Sequence, residues 1–106
     1  MRVVTPGHRY ELGHFENTSG AQTLQFIEKT PATGPDAKPG ELVTVNDGTT
    51  NEEVLRVLID RMGSLQAKFP CRENAIVVTK LEESLMWLEK RTRDRLARGV
   101  EGKHLA

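Results

Sequence analysis

The rhythm of hydrophobic and polar positions changes once along the chain, near residue 48. Before that point apolar residues come in short, alternating segments, and three of these predict strands: His8–Phe15, Thr23–Lys29 and Glu41–Asn46. In Thr23–Lys29, Leu24 and Phe26 fall on one face and Gln25 and Ile27 on the other. Leu42-Val43-Thr44-Val45 has the β-branched character that suits a pleated surface. The intervening stretches, ENTSGAQ and the proline-rich TPATGPDAKPG, carry turn and loop chemistry. Three strands are about the minimum for an independent sheet, and only if one face is covered. The simplest expectation for residues 1–48 is one small antiparallel sheet of three strands.

Beyond residue 48 the period lengthens to three and four. Asp47-Gly48-Thr49 closes the last strand, and Thr50 lies three residues before Glu53, the spacing of a capping box. Leu55, Leu58, Met62, Leu65 and Phe69 then form one apolar stripe. Gly63 weakens this helix by roughly 1 kcal/mol relative to alanine. Phe69-Pro70 ends it, because a residue before proline is pushed out of the helical region. Pro70 is expected as the first position of a second helix, with Glu73 in its first turn. The stripe there is Ala75, Val78, Leu81, Leu85, Leu88, Thr92 and Leu96, and Gly99 is the expected stop. So short a connection makes the helices an antiparallel hairpin. The expected fold class is α+β: a small N-terminal antiparallel sheet followed by a long two-helix hairpin. The parts form a single domain, β-rich over 1–48, helical over 49–99, with a tail over 100–106.

Size then bears on assembly. A second helix of roughly 28 residues is about 42 Å long. A compact chain of this length has a radius of gyration near 13 Å, hence a diameter of about 34 Å. Ile59, Ile76, Val77, Met86 and Trp87 also lie off the main stripes. Both features predict a homo-oligomer in which hairpins pack together. The alternative is that the sheet covers the extra face.

Composition narrows the function. The 106 residues hold 15 basic and 15 acidic side chains, a net charge of zero, which argues against a general nucleic-acid coat. No apolar run is long enough to span a membrane, and MRVVTPGHRYELGHF lacks the apolar stretch of a signal peptide. The single cysteine, Cys71, fits a reducing compartment. Charge is distributed unevenly: Lys90, Arg91, Arg93, Arg95, Arg98 and Lys103 face only Glu89, Asp94 and Glu101 across the last 18 positions.

Candidate chemistry follows. His8, His14 and His104 have no ligand spacing, so no metal site is expected. Cys71 stands at a helix start with no histidine near it in sequence, and reads as a half-buried turn residue rather than a nucleophile. Glu52-Glu53 and Glu82-Glu83 are adjacent on helices and point about 100° apart, which is poor acid–base geometry. GTTN lacks the glycines and lysine of a phosphate loop, and no cofactor is expected. What remains is basic. Arg91, Arg95 and Arg98, spaced i, i+4, i+7, share a helix face suited to phosphate. In a symmetric oligomer such faces can converge on a shared pocket. The helix starts are the other anion candidates: Thr49, Thr50 and Asn51 offer hydroxyl, amide and free backbone N–H groups, and Arg72 and Asn74 offer polar groups at the next start. Each of these also has a capping explanation.

Several segments taken together resemble a hairpin domain of small phage proteins. They are Asp47-Gly-Thr-Thr-Asn-Glu-Glu-Val-Leu, Leu58-Ile-Asp-Arg, Phe69-Pro-Cys-Arg-Glu-Asn, Lys80-Leu-Glu-Glu-Ser-Leu-Met-Trp-Leu-Glu-Lys-Arg-Thr and Arg98-Gly-Val-Glu-Gly-Lys-His. The domain is shared by the Thoeris anti-defence protein 1 and anti-CBASS protein 2 families. The resemblance covers residues 47–104, and Phe26-Ile-Glu-Lys makes the N-terminal strands more similar to the Thoeris member. It implies a non-enzymatic sponge in the cytoplasm of the infected bacterial host. Such a protein holds cyclic ADP-ribose isomers or cyclic di- and trinucleotides uncleaved, as a dimer or hexamer. On that reading Arg91, Arg95 and Arg98 meet phosphates, Phe69 or Tyr10 stacks on a base, and Asn74 or Asn51 reads a base edge. Neither DNA nor RNA is an expected partner. The competing readings are a small nucleic-acid- or protein-binding module using the arginine face, and a nucleotide hydrolase, for which no base or metal set stands out.

Overall fold

A computed structural model describes residues 1–99, whose contacts form two compact units, 1–50 and 51–99. The first unit holds five strands: β1 (Arg2–Thr5), β2 (Arg9–Gly13), β3 (Ala21–Gln25), β4 (Glu28–Pro31) and β5 (Leu42–Asn46). They make two antiparallel sheets, β1-β2-β3 and β4-β5, rather than the single three-stranded sheet expected. The expected strand Thr23–Lys29 is split between them, and the first strand had no counterpart in the reading of the sequence.

Backbone hydrogen bonding explains the split. At the end of β3 the chain changes partners: Phe26 N–H donates to His8 O at 2.7 Å, and Ile27 N–H to Thr49 O at 2.9 Å. Thr49 N–H returns a 2.9 Å bond to Gln25 O, closing an isolated parallel bridge. Gly48 makes that bridge possible. A Cβ there would meet the Gln25 carbonyl oxygen and lie 2.7 Å from the Phe26 carbonyl carbon. The glycine of the Asp47-Gly48 turn is therefore a close-approach requirement. Register places Val3 opposite Tyr10 and Tyr10 opposite Leu24, on one face of the first sheet. The Tyr10 ring meets Phe26 edge-on at 6.0 Å. On the other face Arg2 grips Glu11 with two bonds of 2.7 and 3.2 Å.

The second unit is the hairpin, α1 (Asn51–Lys68) and α2 (Arg72–Ala97). Glu52 and Glu53 occupy the first turn of α1, where carboxylates suit the helix dipole. Pro70 does not start α2 as expected. Cys71 is the N-cap, extended at φ −152°, with its Sγ accepting the Asn74 N–H at 3.4 Å. Gln66 reaches over the turn, its Oε1 accepting Cys71 N–H at 3.0 Å and its Nε2 donating to Cys71 O at 3.1 Å. At the far end Gly99, at φ +70°, stops α2 as expected, after the Arg98 cap.

The seam follows a four–three alternation on α2: Asn74, Val78, Leu81, Leu85, Leu88, Thr92 and Arg95 are half-buried. On α1 the half-buried set includes Leu55, Ile59, Met62, Leu65 and Gln66. This corrects the expected stripes at four positions, Phe69 among them at 73% exposed, just past the end of α1. Leu58 and Leu96 are 42% and 62% exposed, and Ala75 is exposed, while Ile59, Asn74 and Arg95 take seam positions. None of the described residues is fully buried. The hairpin exposes Val57, Ile76, Val77, Met86 and Trp87 as well.

Candidate functional site

The last third of α2 concentrates positive charge on one face. Trp87, Lys90, Arg91, Asp94, Arg95 and Arg98 line an open concavity of about 480 Å³. At 100° per residue, Trp87 and Arg95 fall about 40° to either side of Arg91, one turn below and one turn above it. The indole is 63% exposed; Arg91 and Arg98 are exposed and Arg95 is half-buried. Asp94 is the one carboxylate among these six lining residues. Asp94 Oδ2 accepts Lys90 Nζ at 2.7 Å, an i, i+4 pair along the helix. That hydrogen bond, with the charges of Lys90, Arg93 and Arg98, holds the Asp94 carboxyl below the ordinary aspartate range. The face keeps a net positive charge and an exposed aromatic plane, which together suit an anion bearing a flat ring.

A second concavity of about 570 Å³ lies between the helices, with Ile59, Leu85 and Met86 among its lining. Its rim carries Arg56 and Arg93 against Asp60, Glu82 and Glu89. Two cations facing three carboxylates give no net pull on phosphate, so the smaller α2 face is the better anion site. Because this groove joins the start of α1 to the end of α2, it also confirms the antiparallel hairpin.

The remaining candidates are dispersed. Phe69, 73% exposed, and Arg72 stand at the hairpin tip, with Asn74 half-buried one step along. From Asn74 to Arg95 is about 31 Å along one helix, so one protomer's hairpin does not bring tip and arginines together. Asn51 begins α1 and so lies at the arginine end. Tyr10, Thr49 and Thr50 belong to the other unit. Tyr10 is engaged edge-on with Phe26, and Thr49 spends both backbone groups on residues 25–27. The expectation of a free N–H at Thr49 is therefore corrected. Thr50 directly precedes α1. Cys71 is exposed rather than half-buried. His8 and His14 flank β2 instead of lying within it. Lys103 and His104 of the tail lie outside the described residues.

Reading the sequence for stripes set Trp87 aside as surplus apolar surface. The signal that could have found it was its spacing: four residues before Arg91 and eight before Arg95.

The sequence of the chain matches a known family. A model of the Acb2/Tad1 hairpin domain matches residues 24–93, which takes in β4, β5 and nearly the whole hairpin. The chain belongs to that family. It is also 47% identical over 77 residues to Thoeris anti-defense 1 of Bacillus phage SBSphiJ7, across 61% of this chain and 54% of that protein. The chain thus spans about half the length of that curated relative.

Proposed function

We propose that this is a phage-encoded anti-defence protein that binds cyclic nucleotide signals and sequesters them without cleavage. Its ligands are cyclic ADP-ribose isomers, cyclic di- and trinucleotides, or both, and the defences it blunts are Thoeris, CBASS, or both. The observation that carries this reading is the α2 face, where Trp87, Arg91, Arg95 and Arg98 combine an aromatic plane with cations. Family membership supports the anti-defence role. It acts in the cytoplasm of the infected host.

Oligomerisation completes the reading. A hairpin with exposed apolar residues on both helices gains most by packing on copies of itself, as a dimer or hexamer. Copies arranged antiparallel would bring the Asn74 end of one hairpin beside the arginine end of another, which a single protomer cannot do. Arg72, Asn74 and Phe69 enter the site on these terms.

The test is a thermal-shift panel of cyclic di- and trinucleotides and cyclic ADP-ribose isomers. Ligand at 100 times its dissociation constant adds about 2.7 kcal/mol, a readily measured shift. Heating the complex should then return the ligand intact, and recovery of a linear or hydrolysed product would refute sequestration. Binding to RNA or DNA that falls steeply with salt, with no response to cyclic nucleotides, would favour the nucleic-acid-binding alternative instead.

A further inference from the structure

We infer that Trp87 is a base-stacking platform of this site, so that the face selects anions carrying an aromatic base over bare phosphates or sugar phosphates. The inference rests on the sequestration reading and adds to it the residue that recognises the base. Three observations on α2 meet here. Trp87 lies off the seam and is 63% exposed, although large apolar side chains gain most from burial. Among the described residues it lines the same concavity as Lys90, Arg91, Arg95 and Arg98. It also precedes Arg91 by one turn, about 6 Å along the axis.

That spacing has a chemical meaning. A base lying flat on the indole leaves its own ribose and phosphate displaced along the helix, toward the guanidinium of Arg91 and then Arg95. Arginine is the side chain whose fork matches phosphate oxygens in two places at once. The indole offers no charge to a phosphate, and the arginines offer little discrimination among phosphates. Selection for a base therefore falls on Trp87.

Trp87 is the only tryptophan in the chain, which makes the test direct. Intrinsic fluorescence is followed while the full chain is titrated with a purine cyclic dinucleotide, cyclic ADP-ribose and, as the base-free control, pyrophosphate. Stacking predicts strong quenching by the two base-bearing ligands and none by pyrophosphate. By calorimetry, Trp87→Ala should weaken the base-bearing ligands by about tenfold or more, equivalent to about 1.4 kcal/mol, and Trp87→Phe should retain most of the affinity. Circular dichroism and sedimentation of Trp87→Ala should match the parent, since the side chain is exposed. Undiminished affinity in Trp87→Ala, or binding with no change in fluorescence, overturns the inference and leaves sequestration standing. A changed number of subunits per assembly in Trp87→Ala assigns the indole to a contact between copies and also overturns it. If no base-bearing ligand binds the parent chain, sequestration itself falls and the inference falls with it.

Discussion

The two ends of the hairpin use the same kinds of residue for different ends. At the tip, polar groups are consumed by the turn itself: Gln66 clamps both backbone groups of Cys71, and Cys71 caps α2. At the opposite end the polar groups are arginines and a lysine gathered around an exposed indole. Their charge exceeds what helix capping needs. A polar residue whose bonds close a turn is explained by the fold. One that adds like charge to a face already rich in it works against the fold, and that cost points to a ligand. The lesson is that candidate residues separate by what they are already bonded to, and sequence spacing does not reveal this.

The sharpest way to break the contrast is to remove charge from the arginine end. Replacing Arg91 and Arg95 together by alanine should weaken cyclic nucleotide binding by about a hundredfold or more, since hydrogen bonds involving a charged group contribute about 1.5–3 kcal/mol each. Calorimetry on the variant measures this directly, and unchanged affinity would remove the α2 face from the site. The single variants sharpen it. Arg91 is exposed, so Arg91→Ala should leave the melting temperature nearly unmoved while costing about tenfold in affinity. Arg95 sits half-buried on the seam, so Arg95→Ala should lower both.

At the tip the expected effect is on stability instead. Gln66→Ala removes two hydrogen bonds from the turn and should destabilise the hairpin by about 1–3 kcal/mol. Thermal melting followed by circular dichroism checks this, with a fall of several degrees expected for a chain of this size. A variant that melts like the parent would show that the clamp contributes nothing.

Much of this was legible beforehand. The α+β class, the hairpin, the Gly99 stop and the Arg91–Arg95–Arg98 face follow from period and spacing. The two-sheet division was not, because Thr23–Lys29 reads as one alternating strand while its hydrogen bonds go to three different segments. The seam was misread at Leu58, Phe69, Ala75 and Leu96 because hydropathy favours them. The four–three alternation instead puts Asn74 and Arg95 inward. Trp87 was passed over because an aromatic outside the stripe looks like spare surface until the residues one turn away are seen to be cations.

The smallest expected effect belongs to Asp94, and it tests whether the arginine end is built for charge. Lys90 and its neighbours lower the folded-state pKa of this carboxyl below its unfolded value. A group shifted in that direction stabilises the helix end at all pH values above the ordinary aspartate range. The contribution is lost as the pH falls from the ordinary aspartate range through the lowered folded value. Because the pair is exposed, the change should appear as slight fraying of the last turns of α2, damped by salt. Carboxyl titration by NMR reads it site by site, and an Asp94 that titrates like an unpaired aspartate would dissolve the pair. Asp94→Asn should abolish the pH-dependent fraying. It also leaves Lys90 unneutralised beside Trp87 and Arg91, so cyclic nucleotide binding at low salt should tighten. A weaker complex would mean that the carboxylate touches the ligand, and that the face recognises something other than an anion.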